Sequence, residues 1–231
     1  MGIDNRMNVK IAPSLMCMDL LNVSEQMKVL NRANYLHVDI IDWHYVRNLC
    51  LSPSFMEQLK TITDVPMDAH LMVDNTDIDL VDLCIGSGAG VVTLPPDVVQ
   101  KRAFRLIDRI KSAGVKAGAY INPAMPLDIV FPYIHLLDMI TFMTVDPGFA
   151  GQRFVEESLS KMALAKQLKL EKGYTYEIQV DGSCNKNTYK KLYDSGAEIF
   201  VVGSSGLFNN APRLEDAWEI MERDIERQTN I

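Results

Sequence analysis

Val9-Lys-Ile-Ala-Pro-Ser14 runs straight into Leu15-Met-Cys-Met-Asp19, and that junction separates two possible folds. The first six residues read as a strand. A doubly wound open sheet would place a GxGxxG turn directly after it, because glycine lets the backbone approach a dinucleotide pyrophosphate. No glycine lies between Val9 and Asp19. Working outward, seven more short aliphatic or β-branched runs follow: Tyr35–Ile41, Met67–Val73, Gly90–Leu94, Lys116–Ile121, Met139–Val145, Tyr176–Gly182 and Glu198–Gly203. Longer amphipathic stretches alternate with them, the signature of βαβ units and a parallel sheet. Eight such units at nearly even spacing in 231 residues predict a (β/α)8 TIM barrel, a fold that usually takes about 250 residues. No linker, low-complexity tract or shift of composition interrupts the chain, so one domain over 1–231 is expected.

Helix boundaries are marked locally. Ser52-Pro53 is an N-cap followed by proline in the first turn, Asp77 opens a second helix, and Asn209 to Arg213 precede an amphipathic final segment ending near Arg227. Gly86, Gly88, Gly114, Gly173 and Gly196 fall where left-handed C-caps are expected.

The 23 basic and 30 acidic residues leave a net charge of −7, and no basic run occurs. Nucleic acid or an anionic membrane surface is therefore not expected as a partner. No stretch reaches eighteen uninterrupted apolar residues, so no membrane span is expected. MGIDNRMNVK lacks the apolar segment of a secretory leader, and Arg6 occupies the position where a myristoylation signal needs Ser or Thr. Cys17, Cys50, Cys84 and Cys184 form no CxxC pair and read as reduced thiols of a cytoplasmic protein.

In a barrel, polar residues at the C-terminal strand ends converge on one site. Side chains alternate along a strand, so His37, Asp39 and Ile41 share a face. His70 ends the third strand and Asp181 the seventh. Unpaired, such buried groups would each cost roughly 2–7 kcal/mol. Two readings satisfy them: a mixed N/O set around a divalent Zn, Fe, Mn or Co ion, or a closed network of His–Asp pairs. Three glycine-rich turns follow the last strands, Asp146-Pro-Gly-Phe-Ala-Gly-Gln152, Asp181-Gly-Ser-Cys184 and Val202-Gly-Ser-Ser-Gly206. They read as a phosphate cradle at the place where barrels commonly hold one, or as plain turns. No lysine ends a strand in position for a Schiff base.

HVDIID, DAHLMV, MTVDPGFAGQ, VDGS and VVGSSGLF, in this order over essentially the whole chain, resemble the ribulose-phosphate 3-epimerase family. PSLMCMDLL, EIQVDGSCN and SGLFN look most like its D-allulose-6-phosphate 3-epimerase branch. The resemblance implies a TIM barrel of the ribulose-phosphate-binding type with one divalent metal ion per subunit, held by His37, Asp39, His70 and Asp181. It implies that Asp39 and Asp181 are the catalytic acid/base pair, inverting C3 of a phosphorylated ketose through a metal-stabilised cis-enediolate. Allulose 6-phosphate to fructose 6-phosphate is the favoured conversion. Ser14, His70, Met72 and Met143 would contact substrate, and Gly148, Phe149, Ala150, Gly151, Gly182, Ser183, Gly203 and Ser204 would cradle its phosphate. A homo-oligomer is implied as well.

Several positions depart from the family's pattern. HxDxMDGxFVPN is here His37-Val-Asp-Ile-Ile41-Asp-Trp43-His-Tyr-Val-Arg47-Asn48, and Leu-His-x-Glu is Leu94-Pro-Pro-Asp97. Ile41 replaces a methionine, Arg47 a proline and Trp43 a glycine. If that glycine needs positive φ, tryptophan is strained there and the loop is expected to take another path. His44 and His135 read as a solvated loop residue and a structural one, and the stretch from Glu156 to Lys172 as a solvated helix. These departures leave open ribulose 5-phosphate as substrate, a sugar-phosphate binder without turnover, and a decarboxylase or aldolase on the same barrel.

Overall fold

The computed structural model describes residues 9–229. The opening MGIDNRMN segment, and the expectations attached to it, lie outside them. Eight strands alternate with helices: β1 (Lys10–Pro13), β2 (Leu36–Ile41), β3 (Met67–Met72), β4 (Ala89–Leu94), β5 (Lys116–Ile121), β6 (Met139–Met143), β7 (Glu177–Asp181) and β8 (Ile199–Val202). All neighbours are parallel, in the order β1-β8-β7-β6-β5-β4-β3-β2. The sheet curls into a nearly closed barrel, as the alternation predicts. Its seam lies between β1 and β2. There an isolated bridge joins Ser14 to His37, and the Asn34 and Tyr35 N–H groups donate to the Ile11 carbonyl at 3.0 and 3.3 Å.

The helices are α1 (Val23–Leu30), α2 (Pro53–Leu59), α3 (Ile78–Gly86), α4 (Pro96–Val99), α5 (Ala103–Ser112), α6 (Ser158–Lys172), α7 (Tyr189–Asp194) and α8 (Leu214–Thr229). Ser52 caps α2 by accepting from the Phe55 N–H, and Asp77 caps α3 by accepting from Leu80 at 3.1 Å. Gly173 ends α6 with φ of 67°, the left-handed cap expected of it. Gly86 corrects its expectation. It is the last helical residue of α3, and Gly88, at φ 96°, takes the left-handed turn two residues later. No helix among the described residues is long and apolar enough to cross a membrane.

Period-two alternation divides each strand between two environments. Outward-facing Val38, Ile40, Ala69, Leu71, Val92, Ile140, Val180 and Phe200 pack with the helices in one large core. Inward-facing residues form layers. Ala12, Tyr35, Val91, Met139, Ile199 and Val201 make an apolar layer, and Ile41, Met72, Tyr120, Met143 and Val145 make another toward the C-terminal mouth. His37, Asp39, Asp68, His70 and Thr93 are buried inside the same barrel. The N-terminal end is closed by Glu177. It accepts from the Tyr35 hydroxyl at 3.0 Å and pairs with Lys116 at 3.0 Å and with Lys10. Burial works against the Glu177 charge, but the two lysines outweigh it and hold the carboxyl below its ordinary value.

Candidate metal centre and substrate cleft

Strands β2, β3 and β7 bring His37, Asp39, His70 and Asp181 together, with one ligand atom of each within 4.8 Å of all the others. His37 Nε2 lies 3.0 Å from His70 Nδ1, 3.4 Å from Asp39 Oδ1 and 3.6 Å from Asp181 Oδ2. His70 Nδ1 lies 3.5 and 3.7 Å from the same two carboxylate oxygens. Four donors about 2.1 Å from a common tetrahedral centre would stand about 3.4 Å apart. The observed separations bracket that value, and the donors are two imidazoles and two carboxylates, so the set fits one divalent cation. A closed network of His–Asp pairs accounts less well for four donor atoms turned to one point.

Charge couples the same side chains. Burial opposes a charged His37, yet the carboxylates of Asp39, Asp181 and Asp68 more than compensate and raise its pKa well above the usual imidazole range. Burial likewise opposes ionised Asp39, but the imidazoles of His37 and His70 hold it low. Negative charge concentrated in a buried pocket is what a cation would neutralise.

Sequence reasoning missed Asp68. Its Oδ2 stands 3.0 Å from His37 Nδ1, and its Oδ1 accepts from Thr93 Oγ1 at 2.6 Å, all three residues being fully buried. This carboxylate holds the His37 ring so that Nε2 faces the cluster. Thr93 lies close against Gly118, where a Cβ would come within 2.7 Å of its hydroxyl. The signal for Asp68 was present, because it shares the face of His70 and Met72 by alternation. Thr93 carries no comparable signal.

Above the cluster lies a cleft of about 550 Å³, open solvent included. It is lined by Ser14, Asp39, Met72, Met143, Gly148, Phe149, Ala150, Gly151, Asp181, Gly182, Ser183, Gly203 and Ser204, all of them sequence candidates. His37 and His70 lie beneath this lining and are fully buried. Cys17, Cys184 and Val145, which sequence reasoning did not place there, also face the cleft. Ser14 Oγ donates to Asp39 Oδ2 at 2.9 Å, so this serine holds the carboxylate as well as reaching the cleft. The glycine-rich turns are tied to one another: Ser183 Oγ donates to the Gln152 carbonyl at 2.6 Å, and Asn185 Nδ2 donates to Ser205 Oγ at 3.1 Å. After β8 the chain forms one wide helical turn over Ser204–Phe208.

The loop after β2 corrects another expectation. Trp43 adopts φ of 70°, so the loop accepts left-handed backbone at a tryptophan rather than rerouting. Asp42 fixes the turn by accepting from the N–H groups of His44, Tyr45 and Asp74. The Arg47 guanidinium lies 6.0 Å from the Trp43 ring centroid and donates to the Trp43 carbonyl at 3.3 Å. His44 is exposed, as expected, and His135 sits in a short 3-10 turn, Ile134–Leu136, before β6.

The sequence profile of the Ribulose-phosphate 3 epimerase family matches residues 10–208. Ribulose-phosphate 3-epimerase of Bacillus subtilis (strain 168) is 33% identical over 200 residues, covering 85% of this chain and 91% of the relative. The Mycobacterium tuberculosis (strain ATCC 25618 / H37Rv) protein of the same name is 35% identical over 198 residues, covering 84% of each. Among solved structures, KGPDC from Streptococcus mutans superposes with a TM-score of 0.70 at 16% identity. It covers 95% of this chain and 98% of its own, a likeness of fold alone.

Proposed function

The chain belongs to the ribulose-phosphate 3-epimerase family, and on that premise we propose that it inverts C3 of a phosphorylated ketose, with Asp39 and Asp181 as its acid/base pair. One observation carries this reading: the four-ligand cluster forms the floor of a cleft walled by three glycine-rich turns. A phosphate on those turns would leave the sugar's middle carbons over the cluster. A divalent cation held by His37, Asp39, His70 and Asp181 would act as a Lewis acid toward the ketone and enol oxygens, making the neighbouring C–H removable.

The chain's own residues would do the rest. Asp39 and Asp181 stand on β2 and β7, three places apart around the eight-stranded ring. Carboxylates on both sides of the sugar plane are what inversion requires, one taking the C3 proton and the other returning one. Ser14 would steady Asp39 through its hydrogen bond. Met72 and Met143, both buried, would keep water away from the reacting carbon.

Two substrates are supported by different observations. The matching relatives carry the name ribulose-phosphate 3-epimerase, which favours ribulose 5-phosphate. The PSLMCMDLL, EIQVDGSCN and SGLFN segments favour allulose 6-phosphate with fructose 6-phosphate. The test is incubation of metal-replete protein with each ketose phosphate in deuterated water, read by NMR at C3. Deuterium at C3 with epimer formation is expected, and relative kcat/KM ranks the two sugars. No exchange with any of them would remove the proposal.

A further inference from the structure

The departures from the family's pattern after β2 and β4 meet in space. Tyr45 stands where that pattern carries phenylalanine, and its added hydroxyl is fully used. It accepts from Asn122 Nδ2 at 2.7 Å and donates to Asp97 Oδ2 at 3.0 Å. Three loops, those after β2, β4 and β5, are thereby fastened at one atom. Asn122 is itself held, because Lys161 Nζ donates to the carbonyls of Asn122, Pro123 and Met125 at 2.7–2.9 Å. The same loop after β2 is tied to the loop after β6. Asn48 Nδ2 donates to the Gly148 carbonyl at 2.7 Å, and a Cβ on Gly148 would come within 2.6 Å of Val46 Cγ2.

Inside this brace the Tyr45 ring packs edge-on against Tyr120, with centroids 6.1 Å apart, and Tyr120 packs against His70 at 4.5 Å. Tyr45 and Val46 join Ile41, Met72, Tyr120 and Met143 in one apolar cluster. No residue of β4 or β5, and neither Ile41 nor Tyr45, lines the cleft. Met72 and Met143 belong to this cluster and line the cleft, so there the cleft is bounded by apolar side chains that Ile41, Tyr120 and the braced Tyr45 back.

We infer that Tyr45 is a specificity-determining residue, bracing a wall that admits ketoses with a free C1 hydroxymethyl group and rejects those phosphorylated at C1. The inference rests on the C3-epimerase reading above. With the terminal phosphate on the glycine-rich turns and C2 and C3 over the four-ligand cluster, C1 is the carbon that continues past the cluster toward the wall. A phosphate there would be stripped of water against the aromatic and aliphatic side chains of this cluster, with the exposed Asp97 carboxylate beyond them.

The test compares each monophosphate with its bisphosphate: fructose 6-phosphate with fructose 1,6-bisphosphate, and ribulose 5-phosphate with ribulose 1,5-bisphosphate. Deuterium entry at C3 is measured for metal-replete wild type, Tyr45→Phe and Tyr45→Ala. Wild type is expected to exchange the productive monophosphate about 100-fold faster than its bisphosphate at equal concentration. Tyr45→Phe keeps the ring but frees the three loops, and should narrow that ratio about tenfold. Tyr45→Ala should narrow it further, and if it does not fold, the Phe variant carries the test. Monophosphate exchange without discrimination in wild type overturns this inference alone, as does a wild-type ratio in both folded variants. Absence of exchange from both monophosphates overturns the epimerase reading and this inference with it.

Discussion

Replacing Asp68 should weaken the cation site without touching a ligand. The carboxylate is fully buried, stands 3.0 Å from His37 Nδ1 and accepts from Thr93 at 2.6 Å. Asp68→Asn keeps its shape. The amide oxygen still accepts from His37, and the Thr93 hydroxyl can turn to accept from the amide. What disappears is the negative charge behind the imidazole. A hydrogen bond to a charged group contributes about 1.5–3 kcal/mol and a neutral one about 0.5–1.5, so the loss is about 1–1.5 kcal/mol, or about tenfold in cation affinity. Asp68→Ala also strands the His37 and Thr93 donors in a dry interior. It should reach about 100-fold, the upper end for residues that orient a metal ligand. Chelator competition on the purified variants reads both numbers without any activity measurement, and melting curves with and without cation check the fold. Wild-type affinity within twofold in both folded variants would refute the reasoning. Wild-type affinity in Asp68→Asn beside a loss in Asp68→Ala would show that charge is not what Asp68 supplies.

Two further outcomes follow from the same structure. Trp43→Gly removes a left-handed φ of 70° from a residue with a Cβ; urea titration should show a gain of about 1 kcal/mol, reduced by whatever the Arg47 contact contributes. Glu177 is held below its ordinary value of 4.5, so its contribution is complete above about pH 4.5 and is lost as pH falls through its lower folded value. Glu177→Gln should lower stability at pH 7 and flatten the fall between pH 7 and the acid limb, read as Tm against pH.

The barrel was legible because eight strand runs alternate with helical stretches at nearly even spacing and no dinucleotide turn follows the first. Part of the cluster was legible from side-chain alternation, which alone puts His37 with Asp39 on one face. Asp68 stands in the shadow of the histidine in DAHLMV, although the same alternation aims it inward. Thr93 and Tyr120 look like ordinary strand residues, and only the neighbouring strands give them a role. The conformation of Trp43 was beyond local reading. It depends on Asp42 holding the Asp74 N–H and on Asn48 holding Gly148, contacts spanning 32 and 100 positions of chain. Gly86 and Gly88 differ by two residues, and which of them takes the left-handed turn depends on where α3 runs out of buried contacts.

The barrel is a hoop with a clasp, and the clasp is made of residues of the candidate site. Seven strand junctions are ladders, while the eighth depends on Ser14 meeting His37, on Asn34 and Tyr35 donating to the Ile11 carbonyl, and on the Ser14 hydroxyl gripping Asp39. An ion seated among His37, Asp39, His70 and Asp181 would tie β2 and β3 to β7 across that gap, so occupancy and hoop closure are thermodynamically linked. Loss of the ion should first show as faster amide exchange on either side of the clasp, around Ile11–Ser14 and Asn34–His37, before the other junctions loosen.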